Sequence, residues 1–395
     1  MSLIGEYLSK KLSADDLEKE LLGLIAKYNK IRGTYALVYA SAMSKQQIPD
    51  ITLKQDDYYI IHDLLGNIDS ENVDIYLETP GGSGETAEEI VRFLHDKFKK
   101  ISFIISGEAK SAGTIMVLSG HEILMTETGS LGPIDAQVMI GRSVISAYDY
   151  MDWTEKKRTE AEKNGRLNPF DATVVAQISP GEISGVNNAL TYAEVLVTDW
   201  LAKYKFGNWK TTQTRKIEVT EEMRRNRARE IAKKLTNHAD WKTHGRSIKL
   251  ADLEGIGLII ERTDDNKELQ DTIYRIQTIC RLLFGSTSVY KIFATEKEKV
   301  FRNATPVSSL PQSIPQAVIE GSEAAEFEVK CAQCGESHKF YAKFVDDPKI
   351  DVQFKKKGSI PFPKDNKFKC KCGYEMDLTG IRNEIELKLG KKFVL

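Results

Sequence analysis

The chain has 395 residues, 41% hydrophobic and 29% charged, with a formal net charge of -1. This supplies core material for two or three globular domains, and the near-neutral balance gives no electrostatic ground for nucleic acid or an anionic membrane as the main partner. No run of about 18 apolar residues suggests a membrane span, and the start Met1-Ser2-Leu3-Ile4-Gly5-Glu6 lacks the pattern of a signal peptide.

In chain order, residues 14–30 read as an amphipathic helix with Leu17, Leu21, Leu24 and Tyr28 on one stripe. A buried strand follows at Tyr35–Ala40, then a helix over 56–65 and a strand over 73–78. After Gly82 the apolar residues Ala87, Ile90, Val91 and Leu94 keep helical spacing. The strand Ile101–Ile105 runs into Ser111 and a short helix, and Glu122–Met125 is a further strand. This alternation predicts an α/β fold with mostly parallel strands, in which ligands bind beyond the carboxyl ends of the strands.

Downstream, helices are predicted over 148–163, 190–204, 220–237 and 271–283, and residues 248–260 read as strand, short helix and strand. Cys280 falls on the last helix as a core thiol. The helix bearing Arg224, Arg225, Arg227 and Arg229 is interleaved with Glu221, Glu222 and Glu230, which predicts a solvated face. The Pro- and Ser-rich stretch 304–324 reads as a linker. The expected division is an N-terminal helical segment (1–30), an α/β domain (31–303), the linker (304–324) and a C-terminal module (325–395).

Two motifs carry chemistry. Thr79-Pro80-Gly81-Gly82 ends a strand, and Gly107-Glu108-Ala109-Lys110-Ser111-Ala112-Gly113-Thr114 puts a serine at a helix start. Backbone N–H groups at a helix start and at a side-chain-free glycine turn are suited to stabilising an oxyanion beside a serine nucleophile. A serine there could instead merely cap the helix. Lys110 is expected to be a surface charge. His62, His95, His121 and His238 are expected to be exposed, and Ser83 and Ser130 to be small turn residues.

In the C-terminal module, Cys331-Ala332-Gln333-Cys334 and Cys370-Lys371-Cys372 supply four thiols in two pairs, the set that closes a tetrahedral structural zinc site of the ribbon type. His338 is a substitute ligand candidate, and a reducible dithiol is the alternative. Cysteine used this way points to a reducing compartment, so cytoplasm is the expected location.

The glycine pair, the Ser111 motif, Gly129-Ser130-Leu131-Gly132-Pro133-Ile134-Asp135 and Thr243-His244-Gly245-Arg246 followed by Gly257-Leu258 together resemble the serine dehydrogenase proteinase family, related to signal peptide peptidase A and the Clp protease in the crotonase-like superfamily. The resemblance spans roughly residues 30–300 and implies a spiral ββα core and a serine peptidase with Ser111 as nucleophile. It also implies an oxyanion hole from the Gly82 and Ala112 N–H groups, and a trimer-based or larger homo-oligomeric ring. The base is a point of departure: the Clp-type pattern has histidine about 25 residues after the serine, where this chain has Asp135. His244, oriented by Asp135, is the preferred base over Lys156, Lys157 and Lys163, which sit in polar sequence unable to desolvate an amine. Peptide or protein is the implied substrate, and the cysteine module is expected to recruit a protein partner. The competing readings are a crotonase-type acyl-CoA enzyme and a catalytically silent assembly scaffold.

Overall fold

The computed structural model describes residues 2–45, 51–140, 142–212, 214–304, 323–331, 333–389 and 391–394. They form two compact units, Met1–Asn303 and Ala304–Leu395. The predicted linker at 304–324 lies almost wholly outside the described residues.

The first unit begins with α1 (Leu3–Ser9) and α2 (Ala14–Arg32). Ser13 and Asp16 form a capping box at the start of α2, and Gly33 closes it in the left-handed conformation, as short polar N-caps and C-terminal glycines do. The α/β core follows as β1 (Tyr35–Ser41), α3 (Gln55–Gly66), β2 (Asn72–Glu78), α4 (Gly84–Lys97), β3 (Lys100–Ile105), β4 (Glu108–Ala109), α5 (Ala112–Leu118), β5 (Glu122–Met125) and β6 (Ser130–Leu131). Next come a hairpin, β7 (Gln137–Ile140) and β8 (Ser143–Ser146), and the helices α6 (Ala147–Asn164), α7 (Pro169–Val175) and α8 (Pro180–Trp200). The unit ends with α9 (Glu221–Thr236), α10 (His238–Trp241), α11 (Leu250–Gly255), β9 (Glu261–Arg262), α12 (Lys267–Ser286), β10 (Val289–Ala294) and β11 (Lys299–Asn303).

The main sheet has the order β11-β10-β1-β2-β3-β5-β9. Strands β1, β2, β3, β5 and β9 are parallel neighbours, whereas β10 joins β1 and β11 joins β10 antiparallel. Because side chains alternate along a strand, the sheet feeds two cores. Leu37, Tyr39, Ile75, Leu77, Phe103 and Ile105 pack on the α3, α4 and α5 side. Ala36, Val38, Ala40, Tyr76 and Ile104 pack with α2 and α12 on the other. Burying both faces explains why these strands read as continuous apolar runs.

The predicted helices and parallel strands are present, with two differences. The 190–204 helix is the end of the longer α8, which continues as a π-helical turn over Leu201–Lys205. In the 248–260 region only α11 forms as expected: Ile248 makes a single bridge with Leu131, and the strand falls at Glu261–Arg262. Cys280 lies in the core as expected, where burial drives its thiol pKa upward. Arg225 and Arg227 on α9 pair with Asp199 (2.8 Å) and Glu230 (3.0 Å), consistent with a solvated charged face. The fold is of the α/β class expected, with an added small β-rich module.

The second unit contains β12 (Ala324–Lys330), β13 (Ser337–Lys343), α13 (Pro348–Lys356), β14 (Ile360–Pro361), β15 (Lys367–Lys369), β16 (Glu375–Asp377) and α14 (Thr379–Leu389). β12 and β13 are antiparallel with β14 added alongside, and β15–β16 is a separate hairpin. Phe327, Phe340, Phe362 and Leu378 share its small core with Cys331 and Cys370.

Candidate functional site

The turn after β2 is fixed from two sides. Thr79 donates to Glu108 O (2.9 Å) and Lys110 donates to Thr79 O (2.9 Å), which lays the turn beside the Ser111 loop. Leu53 donates to Gly81 O (2.7 Å) and Ser83 donates to Leu53 O (3.0 Å). Glycine is required here: a Cβ at Gly81 (φ +92°) would stand 2.7 Å from Ser111 Cβ, and one at Gly82 (φ +148°) would stand 2.4 Å from Leu53 O. Among the described residues the Gly82 N–H has no backbone acceptor. Ala112 opens α5, and the first N–H of a helix has no intrahelical partner.

Ser111 itself has φ 51° and ψ −120°, a conformation that costs a non-glycine residue of order 1–3 kcal/mol and that persists where the surroundings enforce it. It occupies the N-cap position of α5, yet its side chain makes no capping hydrogen bond. The bland role of a serine at a helix start is therefore not the one it plays.

A cavity of about 810 Å³ collects Pro80, Gly81, Gly82, Ser111, Ala112, Asp135 and His244, and also Ile115, Ile134, Val144, Ala193 and Tyr192. Asp135 is buried, and its Oδ1 accepts a 2.8 Å hydrogen bond from His244 Nδ1. A carboxylate only accepts, so this contact puts the His244 proton on Nδ1 and leaves Nε2 as the basic nitrogen. Oδ2 of Asp135 accepts from His238 Nδ1 (2.8 Å) and Gln137 Nε2 (2.9 Å). Burial pushes the Asp135 carboxyl up, but the two imidazoles outweigh it and hold it below the ordinary carboxylate range.

All five residues expected at the site thus face one cavity. Lys156, Lys157 and Lys163 are not among its lining residues. Lys156 pairs with Asp152, and Lys157 pairs with Asp171 and Glu160, contacts that raise both amines rather than free them to act as bases.

Five side chains depart from expectation. Lys110 is buried, with its Nζ bonded to protein oxygens, because the loops around it close over its stem. His238 is largely buried, since Asp135 draws it inward, with Asp149 3.4 Å from its other ring nitrogen. His95 and His121 are half-buried with Tyr204, whose ring stacks on His95 at 3.4 Å between centroids. His62 is exposed as expected, and Ser130, expected in a turn, lies buried in β6. The roles of Lys110 and His238 escape sequence reasoning because their partners lie far off in the chain; the only clue is a second histidine six positions before His244.

In the second unit Cys331, Cys334, Cys370 and Cys372 place their sulfurs within 4.8 Å of one another. Each pair sits in a tight turn. Gly335 (φ 75°) donates to Cys331 O, and Gly373 (φ 93°) donates to Cys370 O. The Sγ separations of 3.6 Å (Cys331–Cys372) and 3.7 Å (Cys334–Cys370) are far beyond a disulfide. They match the edge of about 3.8 Å in a tetrahedron with metal–sulfur bonds of about 2.3 Å. The set fits a metal ion that prefers tetrahedral thiolates. His338 Nε2 lies 3.3 Å from Cys370 Sγ, beside the four-sulfur set.

Residues 51–190 match the family described as ClpP-like SDH-type serine proteinase. That stretch of the first unit, which holds the glycine turn, Ser111 and Asp135, is thus similar to that serine proteinase family. Among curated proteins, the uncharacterized protein MJ1495 of Methanocaldococcus jannaschii is 26% identical over 188 residues, 47% of this chain and 51% of that protein. A second from the same organism, MJ0137, is 33% identical over 66 residues, 17% of this chain and 23% of that protein. The chain thus spans about half the length or less of these relatives. Among solved structures, a variant of the membrane-bound stomatin-specific protease 1510-N aligns with TM-score 0.32 and 15% identity, covering 56% of this chain and 79% of that one. The ClpP protease catalytic domain from Plasmodium falciparum aligns with TM-score 0.28 and 13% identity, covering 53% and 80%.

Proposed function

We propose that this chain is a serine peptidase in which Ser111 is the nucleophile, His244 the general base and Asp135 the group that orients it. Ser111 Oγ attacks the scissile carbonyl carbon while His244 Nε2 takes its proton. The developing oxyanion is held by the Gly82 and Ala112 N–H groups. His244 then protonates the leaving amine, and water hydrolyses the acyl-enzyme by the same route in reverse. The single observation that carries this reading is one cavity shared by a strained, uncapped serine, a two-glycine turn and a buried Asp–His pair. Preorganised oxyanion donors commonly contribute more to such catalysis than any other group, each accelerating the reaction roughly 100- to 1000-fold.

In the same reading the four cysteines hold a structural zinc. A closed thiolate site offers the metal no open position for chemistry, so the ion's part is to fold a small unit. A homo-oligomeric ring goes with the resemblance, a cytoplasmic location with the cysteine usage and a protein partner with the cysteine module; all three are carried here as proposals. Among the described residues no helix is long and apolar enough to cross a membrane.

Turnover of a mixed fluorogenic peptide set by the purified protein tests the assignment. Cleavage that disappears in Ser111→Ala at unchanged melting temperature supports it. Cleavage that survives this substitution assigns the activity elsewhere.

A further inference from the structure

The residue before the proposed nucleophile is a buried lysine with a complete set of partners. An ammonium has three N–H donors, and burying it is costly unless each is met. Lys110 Nζ meets Ser247 Oγ at 2.8 Å, Arg246 O at 3.1 Å and Leu131 O at 3.4 Å, with Glu108 Oε1 3.6 Å away. Ser247 in turn donates to Glu108 Oε1 at 3.0 Å.

These partners lie on the segments that build the site. Lys110 adjoins Ser111, Leu131 is four residues before Asp135, and Arg246 and Ser247 follow His244 by two and three. Leu131 and Ile248 exchange backbone hydrogen bonds (3.0 and 2.9 Å), so the second and third segments also hold each other. Room for the lysine is built in: a Cβ at Gly132 would come within 2.8 Å of Lys110 Cδ.

We propose that Lys110 is a positioning residue that ties the Ser111 loop to the segments carrying Asp135 and His244 and so sets the nucleophile–base geometry. The proposal rests on the serine peptidase reading. Lys110 does not touch the reacting atoms; it acts by fixing where two loops sit relative to a third. Displacing a reacting group by about 1 Å can cost on the order of 100-fold in rate, so a small loop shift suffices for a large effect.

The test compares wild type, Lys110→Met, Ser247→Ala and, as a stability control in the opposite core, Leu24→Ala. The readouts are the fluorophosphonate acylation rate, the split of kcat against KM on a cleaved peptide, and the melting temperature. Expected are a loss of roughly 100-fold in acylation and kcat for Lys110→Met with KM little changed, a loss of about 10-fold for Ser247→Ala, and wild-type acylation for Leu24→Ala below its melting range. Should Lys110→Met fail to fold, Ser247→Ala decides alone. Wild-type acylation rates in folded Lys110→Met, or in Ser247→Ala in that case, overturn the positioning role. A wild type that is neither acylated nor active instead overturns the peptidase reading on which it stands.

Discussion

His244 and Asp135 meet at 2.8 Å through Nδ1 and Oδ1, although 109 positions separate them in the chain. The other carboxylate oxygen is engaged by His238 and Gln137. Asp135 therefore has an acceptor role on both oxygens that an amide cannot reproduce. Asp135→Asn should force an imidazole into the wrong tautomer and lower kcat by about 1000-fold or more, with KM much less affected. Steady-state peptide turnover checks this, and near-normal kcat would remove Asp135 from the site.

Gly82→Ala tests the oxyanion turn. The new Cβ would collide with Leu53 O, which is backbone and has little freedom to yield, so the Gly82 N–H must move. The expected outcome is a fall in acylation rate of at least about 100-fold together with a lower melting temperature. An acylation rate within a few-fold of wild type would show that this N–H is not a donor to the oxyanion.

The histidine cluster away from the cavity gives a pH prediction. Burial lowers the His95 pKa to about 4, helped by charge on His121 and Lys203 and opposed by the contact of Nε2 with Ser119 O. The unfolded chain, with imidazole near pH ~6.5, binds this proton first as pH falls. His95 thus contributes stability that is present above about pH 6.5 and is lost as pH falls toward about 4. Melting curves should show a shallower acid loss across that window for His95→Phe than for wild type. Equal slopes would contradict the assignment.

For the cysteine module, metal analysis of the purified protein should find zinc at roughly one per chain. Cys334→Ser should lose the metal and raise amide exchange across β12 and β13 while leaving β1–β3 protected. Full protection of β12 and β13 in metal-free protein would assign the fold of this unit to its apolar core alone.

Much of the fold is legible in the sequence because both faces of the central strands are buried and the helices keep one apolar stripe, as at β1, β3 and α4. The two antiparallel strands at one end of the sheet, β10 and β11, are not. Val289–Ala294 is interrupted by Lys291, which is buried and pairs with Asp57 through Nζ contacts of 2.7 and 2.9 Å, a compensation that no local pattern reveals. The hairpin of β7 and β8 also escapes, since its strands are only four residues long, leave Met139 and Val144 exposed and bury Val138, Ile140 and Ile145 only in part. At the candidate site, Ser111, Gly82 and Ala112 are legible from local motifs, because the serine loop and the glycine turn are each contiguous. The pairing of His244 with Asp135 is reached only through the family resemblance. His238 and Lys110 read as surface groups, since their burial depends on partners more than 100 residues away.

An activated serine at position 111 stands or falls on intact mass after treatment with a fluorophosphonate. A single adduct on wild type, none on Ser111→Ala, and strongly slowed labelling of folded His244→Ala are expected. Labelling that persists in Ser111→Ala, or a well-folded wild type that takes no adduct, would contradict the assignment of Ser111 as nucleophile.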